Sequence, residues 1–241
     1  MKNLLTKKGS IIITVILLLT IGNLNAQSLS VGTDVVSRYV WRGLELGSNT
    51  PNVQPSVEFV FGSLAVGFWG AYSLSETTGL NEIDIYASYS VDLSNAGSMS
   101  LGVTDYTNPN SGVKIGNFNN YDNEADPGAH YIELNAGYTG GESFPISLSF
   151  NMFLYNLKNN PIYFQLGYST SVEDVALDIF AGGTPGEDNG YYGVTDFSII
   201  NVGFTASKSI KFTEDFSLPL FGSVILNPAS ENLFFVVGFS L

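Results

Sequence analysis

From Gln27 to Leu241 the chain keeps one rule: apolar side chains take every second position of short segments, and the residues between them are polar and mostly small. Glu82 to Leu93 shows it most clearly. Ile83, Ile85, Ala87, Tyr89, Val91 and Leu93 share one face, and Glu82, Asp84, Tyr86, Ser88, Ser90 and Asp92 share the other. A period of 3.6 would scatter these apolar residues around a helix, so the pattern predicts strands. Leu29, Val31, Val35, Tyr39 and Trp41 alternate with Ser30, Gly32, Asp34, Arg38 and Arg42 in a first strand, and Val57, Phe59 and Phe61 alternate with Ser56 and Glu58 in a second. Further strands centre on Phe68, Leu101, Leu134, Phe150, Leu166, Leu177, Val202, Leu220 and Val237, bringing the expected total to twelve.

A soluble β-sandwich also alternates, so the chemistry of the polar face has to decide. A face in bulk water is normally rich in Lys, Arg and Glu. Here it is mainly Ser, Gly, Asn and Thr, and charged residues make up 13% of the chain against the ~25% of ordinary soluble proteins. Small polar residues suit a confined interior walled by other strands. The chain has no Cys, which excludes disulfides and thiol chemistry, and nine Lys and Arg against 22 Asp and Glu leave no basic surface for nucleic acid.

The connections alternate in length. Gly62–Ser63, Ser94–Ser98, Thr139–Phe144 and Ser169–Asp174 are short, whereas Asp105–Ala129 and Gly182–Asp196 are long and rich in Asn, Asp and Gly. Short turns at one end and long loops at the other are the pattern of an outer-membrane barrel, with the long loops facing outward and both termini periplasmic. Tyr39, Trp41, Phe61, Tyr72, Tyr138 and Tyr168 fall near strand ends, where aromatic girdles sit in a lipid interface. Leu233, Phe235, Val237, Phe239 and Leu241 alternate to the last residue, as a closing strand does. Residues 1–26 read as a secretory signal peptide: Lys2, Lys7 and Lys8 precede the apolar run Ile11–Ile21, and Ala26 is a small residue before a cut at Gln27. That run is too short for a spanning helix, which needs ~20 residues. Removing the leader takes three lysines and no acid, lowering the net charge from −13 to −16. The expected fold is thus all-β: a transmembrane antiparallel barrel of about twelve strands, one domain over residues 27–241, in the outer membrane of a Gram-negative-type bacterium.

Val36–Phe59, VSRYVWRGLELGSNTPNVQPSVEF, resembles the N-terminal hallmark of the TorF family of porin-like proteins: Ser37, an aromatic at Tyr39, Arg42-Gly43, a polar loop, then Pro51 and Gln54 leading into the second strand. The resemblance covers about two dozen residues. It implies an outer-membrane barrel more firmly than it implies a particular solute.

Catalytic and metal chemistry find little support. His130 is the sole histidine, and no Gly-x-Ser-x-Gly turn accompanies it, so it is expected to be structural and the protein no enzyme. Asp122, Glu124 and Asp126, and again Glu187, Asp188 and Asn189, are hard oxygen ligands, but their spacing is not that of a calcium loop and they read as solvated loop residues. No cofactor is expected. The expected partners are outer-membrane lipid, the barrel-insertion machinery, and small solutes or ions.

The charges on the polar face set the functional expectation. If the first hairpin turns about the middle of Leu44–Val53, Arg38 pairs with Glu58 and Arg42 with Gln54, both inward, and Glu58 lies beside Gly67 in a stretch opened by Ala65, Gly67 and Ala71. Asp34, Glu58, Glu82, Asp84, Asp92, Glu133 and Asp178 then face the lumen together with Arg38 and Arg42. The excess is negative, and a low-dielectric wall focuses its field along the pore. The expectation is a narrow, cation-preferring channel for small hydrophilic solutes. The alternative is a closed structural or adhesive barrel whose loops bind a surface partner.

Overall fold

A computed structural model describes residues 27–47, 49–75, 81–123, 126–188 and 190–241. The expected leader lies outside the described residues, as do Glu124 and Asn189 of the acidic loops. Twelve strands close into an antiparallel barrel: β1 (Gln27–Val36), β4 (Asn52–Phe61), β5 (Leu64–Ser73), β6 (Glu82–Asp92), β7 (Ser98–Thr107), β8 (Tyr131–Thr139), β9 (Ile146–Tyr155), β10 (Ile162–Val172), β11 (Val175–Thr184), β12 (Ser198–Lys211), β13 (Ser217–Asn227) and β14 (Asn232–Ser240). Each pairs with its chain neighbour, and β1 closes the ring against β14. Two further strands, β2 (Val40–Trp41) and β3 (Leu44–Glu45), form a separate two-stranded ribbon.

The alternation becomes two surfaces. On β6, Glu82 and Asp84 are buried while Ile83, Ile85, Tyr89 and Val91 are exposed, so the apolar face points out of the barrel. Leu29, Val31, Phe68, Leu101, Leu148, Leu166, Phe235 and Val237 continue that outer belt around the wall. Val31 keeps 71% of its surface exposed, whereas Glu133 on the inner face keeps none. This inverts the usual soluble arrangement, in which contiguous exposed apolar area is small. Phe61, Tyr72 and Tyr168 lie exposed on this outer face near strand ends.

The seam is short. Only Asp34 with Ser240, Val35 with Phe239 and Val36 with Gly238 are in register between β1 and β14. Reciprocal backbone bonds between Thr33 and Leu241, at 3.1 and 2.9 Å, extend the ladder to the final residue. Turns at 62–63, 93–97, 140–145, 173–174 and 212–216 gather at one end, here the turn end. The connections β1–β4, β5–β6, β7–β8, β9–β10, β11–β12 and β13–β14 leave the wall at the other, the loop end.

Three expectations need correction. The first strand stops at Val36, so Arg38, Tyr39, Trp41 and Arg42 do not belong to the wall. The register of β1 with β4 pairs Ser30 with Glu58 and Asp34 with Gln54, eight positions earlier in the chain than the expected partners Arg38 and Arg42. The turn expected over Ser169–Asp174 is only Glu173–Asp174, because β10 runs on to Val172.

Candidate functional site: a hairpin inside the barrel

After Val36 the chain turns into the lumen. Val40 pairs with Glu45 and Trp41 with Leu44, leaving Arg42 and Gly43 as a two-residue turn. Both have positive φ, 50° and 77°, which is the backbone a type I′ turn demands. For Arg42 the left-handed backbone costs about 1 kcal/mol. Gly43 is there for a second reason: a Cβ on it would come within 1.9 Å of the Ile200 carbonyl oxygen on β12. The tip therefore touches the far wall with its bare backbone. Asn227 Nδ2 on β13 donates to the Gly43 carbonyl at 3.1 Å and fixes the contact.

Arg42 ties this tip to β8, which stands about halfway around the ring from β1. Its two terminal nitrogens donate to the two Glu133 carboxylate oxygens at 2.6 and 2.9 Å, a bidentate pair. Nη1 also donates to the Tyr192 hydroxyl at 2.7 Å. The guanidinium carbon lies 4.2 Å from the Trp41 ring centroid and 4.7 Å from that of Tyr163. Glu133 in turn accepts from Tyr106 Oη and Asn135 Nδ2, each at 2.8 Å. A buried charge pair holds only when its remaining lone pairs are satisfied, and here they are. Burial opposes the Arg42 charge, but the hydrogen bonds to Glu133 more than offset it and leave the guanidinium above its ordinary pKa. Burial likewise pushes the Tyr192 phenol up, so it serves as a neutral acceptor for Arg42.

Aromatic packing completes the attachment. Tyr39, expected in a lipid girdle, is buried in the lumen against Trp69 at 5.4 Å, and Trp41 packs on Tyr106 and Tyr192 at 6.0 and 6.1 Å. The reason for this correction is geometric. A two-residue turn reverses the chain before it can continue as wall, and the large rings then fill the lumen instead of meeting lipid. Arg38 pairs with Glu45 at 3.2 Å and donates to Asn49 within the same loop, so it does not meet Glu58.

The other inner charges divide between the two ends. Glu82, Asp84 and Glu133 are buried at the loop end, beneath the hairpin. Toward the turn end Glu58 stands beside Gly67, as expected, but the space over Gly67 is taken by the Tyr86 ring, whose hydroxyl donates to Glu58 at 3.0 Å. Asp178 accepts from Ser169 at 2.6 Å and Asp92 caps the Ser94 turn at 2.8 Å. Asp34 sits at the seam opposite Gln54 and Ser240. Between these charges the inner face toward the turn end is mostly Ser, Gly, Ala and Thr, as at Ser30, Gly32, Ala65, Ser88, Ser100, Gly102, Gly137, Ser149, Gly167, Thr205 and Ser207, interrupted by the rings of Phe180 and Phe221, which lie opposite Gly167 and Ser207.

The longest loop goes elsewhere. His130 contacts Asp105 through Nδ1 and the Ile115 carbonyl through Nε2, both at 2.7 Å, and stacks on Phe118 at 3.9 Å. This pins Pro109, Val113, Ile115 and Ala129 beside Ile83 and Ile85 on the outer face, so the histidine fastens a loop. What narrows the lumen is the first loop, aided by Tyr191 and Tyr192 of loop 185–197. Tyr192, Tyr163 and Asn227 carry no sequence signal of their own. The Arg-Gly pair between two apolar doublets is the one local sign of the hairpin.

The family model Gcw_chp, described as a bacterial protein of unknown function, matches residues 22–213, and the chain belongs to that family. The TorF name is not the one this model carries. No curated protein matches the sequence. Among solved structures the chain is similar to a KdgM porin at 10% identity, covering 89% of this chain and 98% of that one with a TM-score of 0.49.

Proposed function

We propose that this Gcw_chp protein is an outer-membrane channel for passive diffusion of small hydrophilic solutes, preferring cations and constricted at its loop end by the hairpin Tyr39–Gly47. The observation that carries the reading is the division of one wall into an exposed apolar exterior and an inner face that holds the carboxylates and most of the small polar residues. A closed barrel satisfies every ladder hydrogen bond internally, which a bilayer requires, and the exterior belt then meets lipid. The loops face outward and the termini the periplasm, with residues 1–26 removed on export. The inner charge supports cation preference. Arg42 is spent on Glu133 and Arg38 on Glu45, which leaves Asp34, Glu58, Glu82, Asp84, Asp92 and Asp178 without an ion-pair partner among the described residues.

A second reading has its own support in the anchored hairpin: a closed barrel that holds its loops for a surface partner and passes nothing. Purified protein in a planar bilayer separates the two. Stepwise conductance with a reversal potential favouring cations in a salt gradient is the expected result. Silent insertion supports the closed barrel, and chloride preference overturns the charge assignment.

A further inference from the structure

The lumen holds the chemistry of the Arg42 box a second time, with the protein's own cation left out. Arg42 is received by aromatic faces, Trp41 and Tyr163, and a buried carboxylate, Glu133. Beside the hairpin, Trp41, Tyr106, Phe153 and Tyr191 line a cavity of about 300 Å³ with Glu82 in its wall. These rings form a continuous array: Trp41 to Tyr106 at 6.0 Å, Tyr106 to Phe153 at 5.6 Å, and Phe153 to Tyr191 at 5.1 Å. Glu82 and Asp84 follow one another on the inner face of β6, touch, and are 7% and 6% exposed. Among the described residues neither has an ion-pair partner, and Asp84 Oδ1 has no hydrogen bond at all. The Tyr39 hydroxyl reaches Glu82 only at 3.5 Å.

From this juxtaposition we infer that the cavity beside the hairpin is a binding site for a small organic ammonium ion. Buried acids without a counter-charge are costly, and a cation entering from the loop end meets Glu82 in the cavity wall, with Asp84 next to it on the inner face of β6, as Arg42 meets Glu133. The rings add attraction through their negative faces, which favours an alkylated ammonium over a strongly hydrated metal ion. An inorganic divalent ion fits less well, since no group of three or more metal-ligating side chains gathers among the described residues. The site goes beyond the channel reading and does not depend on it, because binding is measured without any current.

The chain contains two tryptophans, and Trp41 forms part of the cavity. Titrating the folded full-length protein in detergent with tetramethylammonium at constant ionic strength reports on the site through tryptophan emission. The expected result is a saturable change that the neutral, water-soluble analogue 2,2-dimethylpropan-1-ol does not produce. Glu82→Gln and Asp84→Asn, each checked for retained heat-modifiable mobility, weaken it by about tenfold or more, or roughly 1.4 kcal/mol. Glu58→Gln, toward the turn end, leaves it unchanged. An identical response to the neutral analogue, a response untouched in both acid variants, or no response from the folded wild type overturns the proposal. Silent bilayers with saturable ammonium binding would defeat the channel and keep the site.

Discussion

The loop-end and turn-end halves of this lumen are built by the same strands with the same alternation, yet they are chemically unlike. Toward the loop end the inner positions are large and charged, Glu82, Asp84, Tyr106, Glu133, Phe153 and Tyr163, and they are buried against a segment from outside the wall. Toward the turn end they are mostly Ser, Gly, Ala and Thr, with Phe180 and Phe221 as large exceptions and Tyr86 donating to Glu58. A barrel wall fixes which way a side chain points but not whether it meets water or protein. The difference lies in the hairpin, since buried carboxylates and rings of this kind are stable only when something polar and aromatic reaches them.

Removing the hairpin breaks the comparison most directly. Replacing Tyr39–Gly47 by a short Gly-Ser link is expected to raise single-channel conductance severalfold while the barrel stays heat-modifiable. Unchanged conductance would move the barrier to the turn-end half. The next largest effect is on stability. Arg42→Ala leaves Glu133 buried and unpaired and should cost about 3–5 kcal/mol in denaturant unfolding, with most of it recovered when Glu133→Gln is added. If the double variant is no better than the single one, the loss comes from the aromatic stack on Arg42 and not from the stranded charge.

One substitution made in both halves sharpens the contrast further. Gly43→Ala pushes a methyl into the Ile200 carbonyl on a backbone with φ of 77°, and nothing rigid there can give. It should undock the hairpin and produce noisy, larger conductance. Gly67→Ala meets only the end of the Tyr86 side chain, 2.3 Å away, which can swing into the lumen. It should cost little stability and leave conductance near wild type. Equal effects in single-channel records would show that the two halves are packed alike. The smallest expected change is in selectivity: Glu58→Gln removes one turn-end carboxylate and should shift the reversal potential modestly toward neutrality, most visibly at low salt. Arg38→Ala, which frees Glu45 and not Glu58, should shift it slightly the other way. No shift in either variant would place the selectivity zone at Glu82 and Asp84 instead.

Alternation read from single residues placed the wall with few errors. Ile83 and Ile85 point out and Glu82 and Asp84 point in, and the closing strand Leu233–Leu241 ends where expected. It failed at Arg42. Val35, Tyr39 and Trp41 obey the same period as Leu29 and Val31, yet the chain leaves the wall after Val36 and reverses at Arg42 and Gly43, where φ is positive. An Arg-Gly turn is a weaker signal than Asn-Gly, because Arg has no intrinsic preference for a left-handed backbone.

The sequence by itself determined the strand count of the wall and its two faces, with Ile83 and Ile85 out and Glu82 and Asp84 in. It could do so because a period of two is a local property of extended backbone, visible without knowing any partner. Tertiary structure alone decided that Arg42 belongs to Glu133, 91 positions away, that Tyr39 and Trp41 fill the lumen, and that Tyr86 is the partner of Glu58. Those pairings depend on which strands face each other across a closed ring and on a loop that enters it, and neither is written in any local spacing of residues.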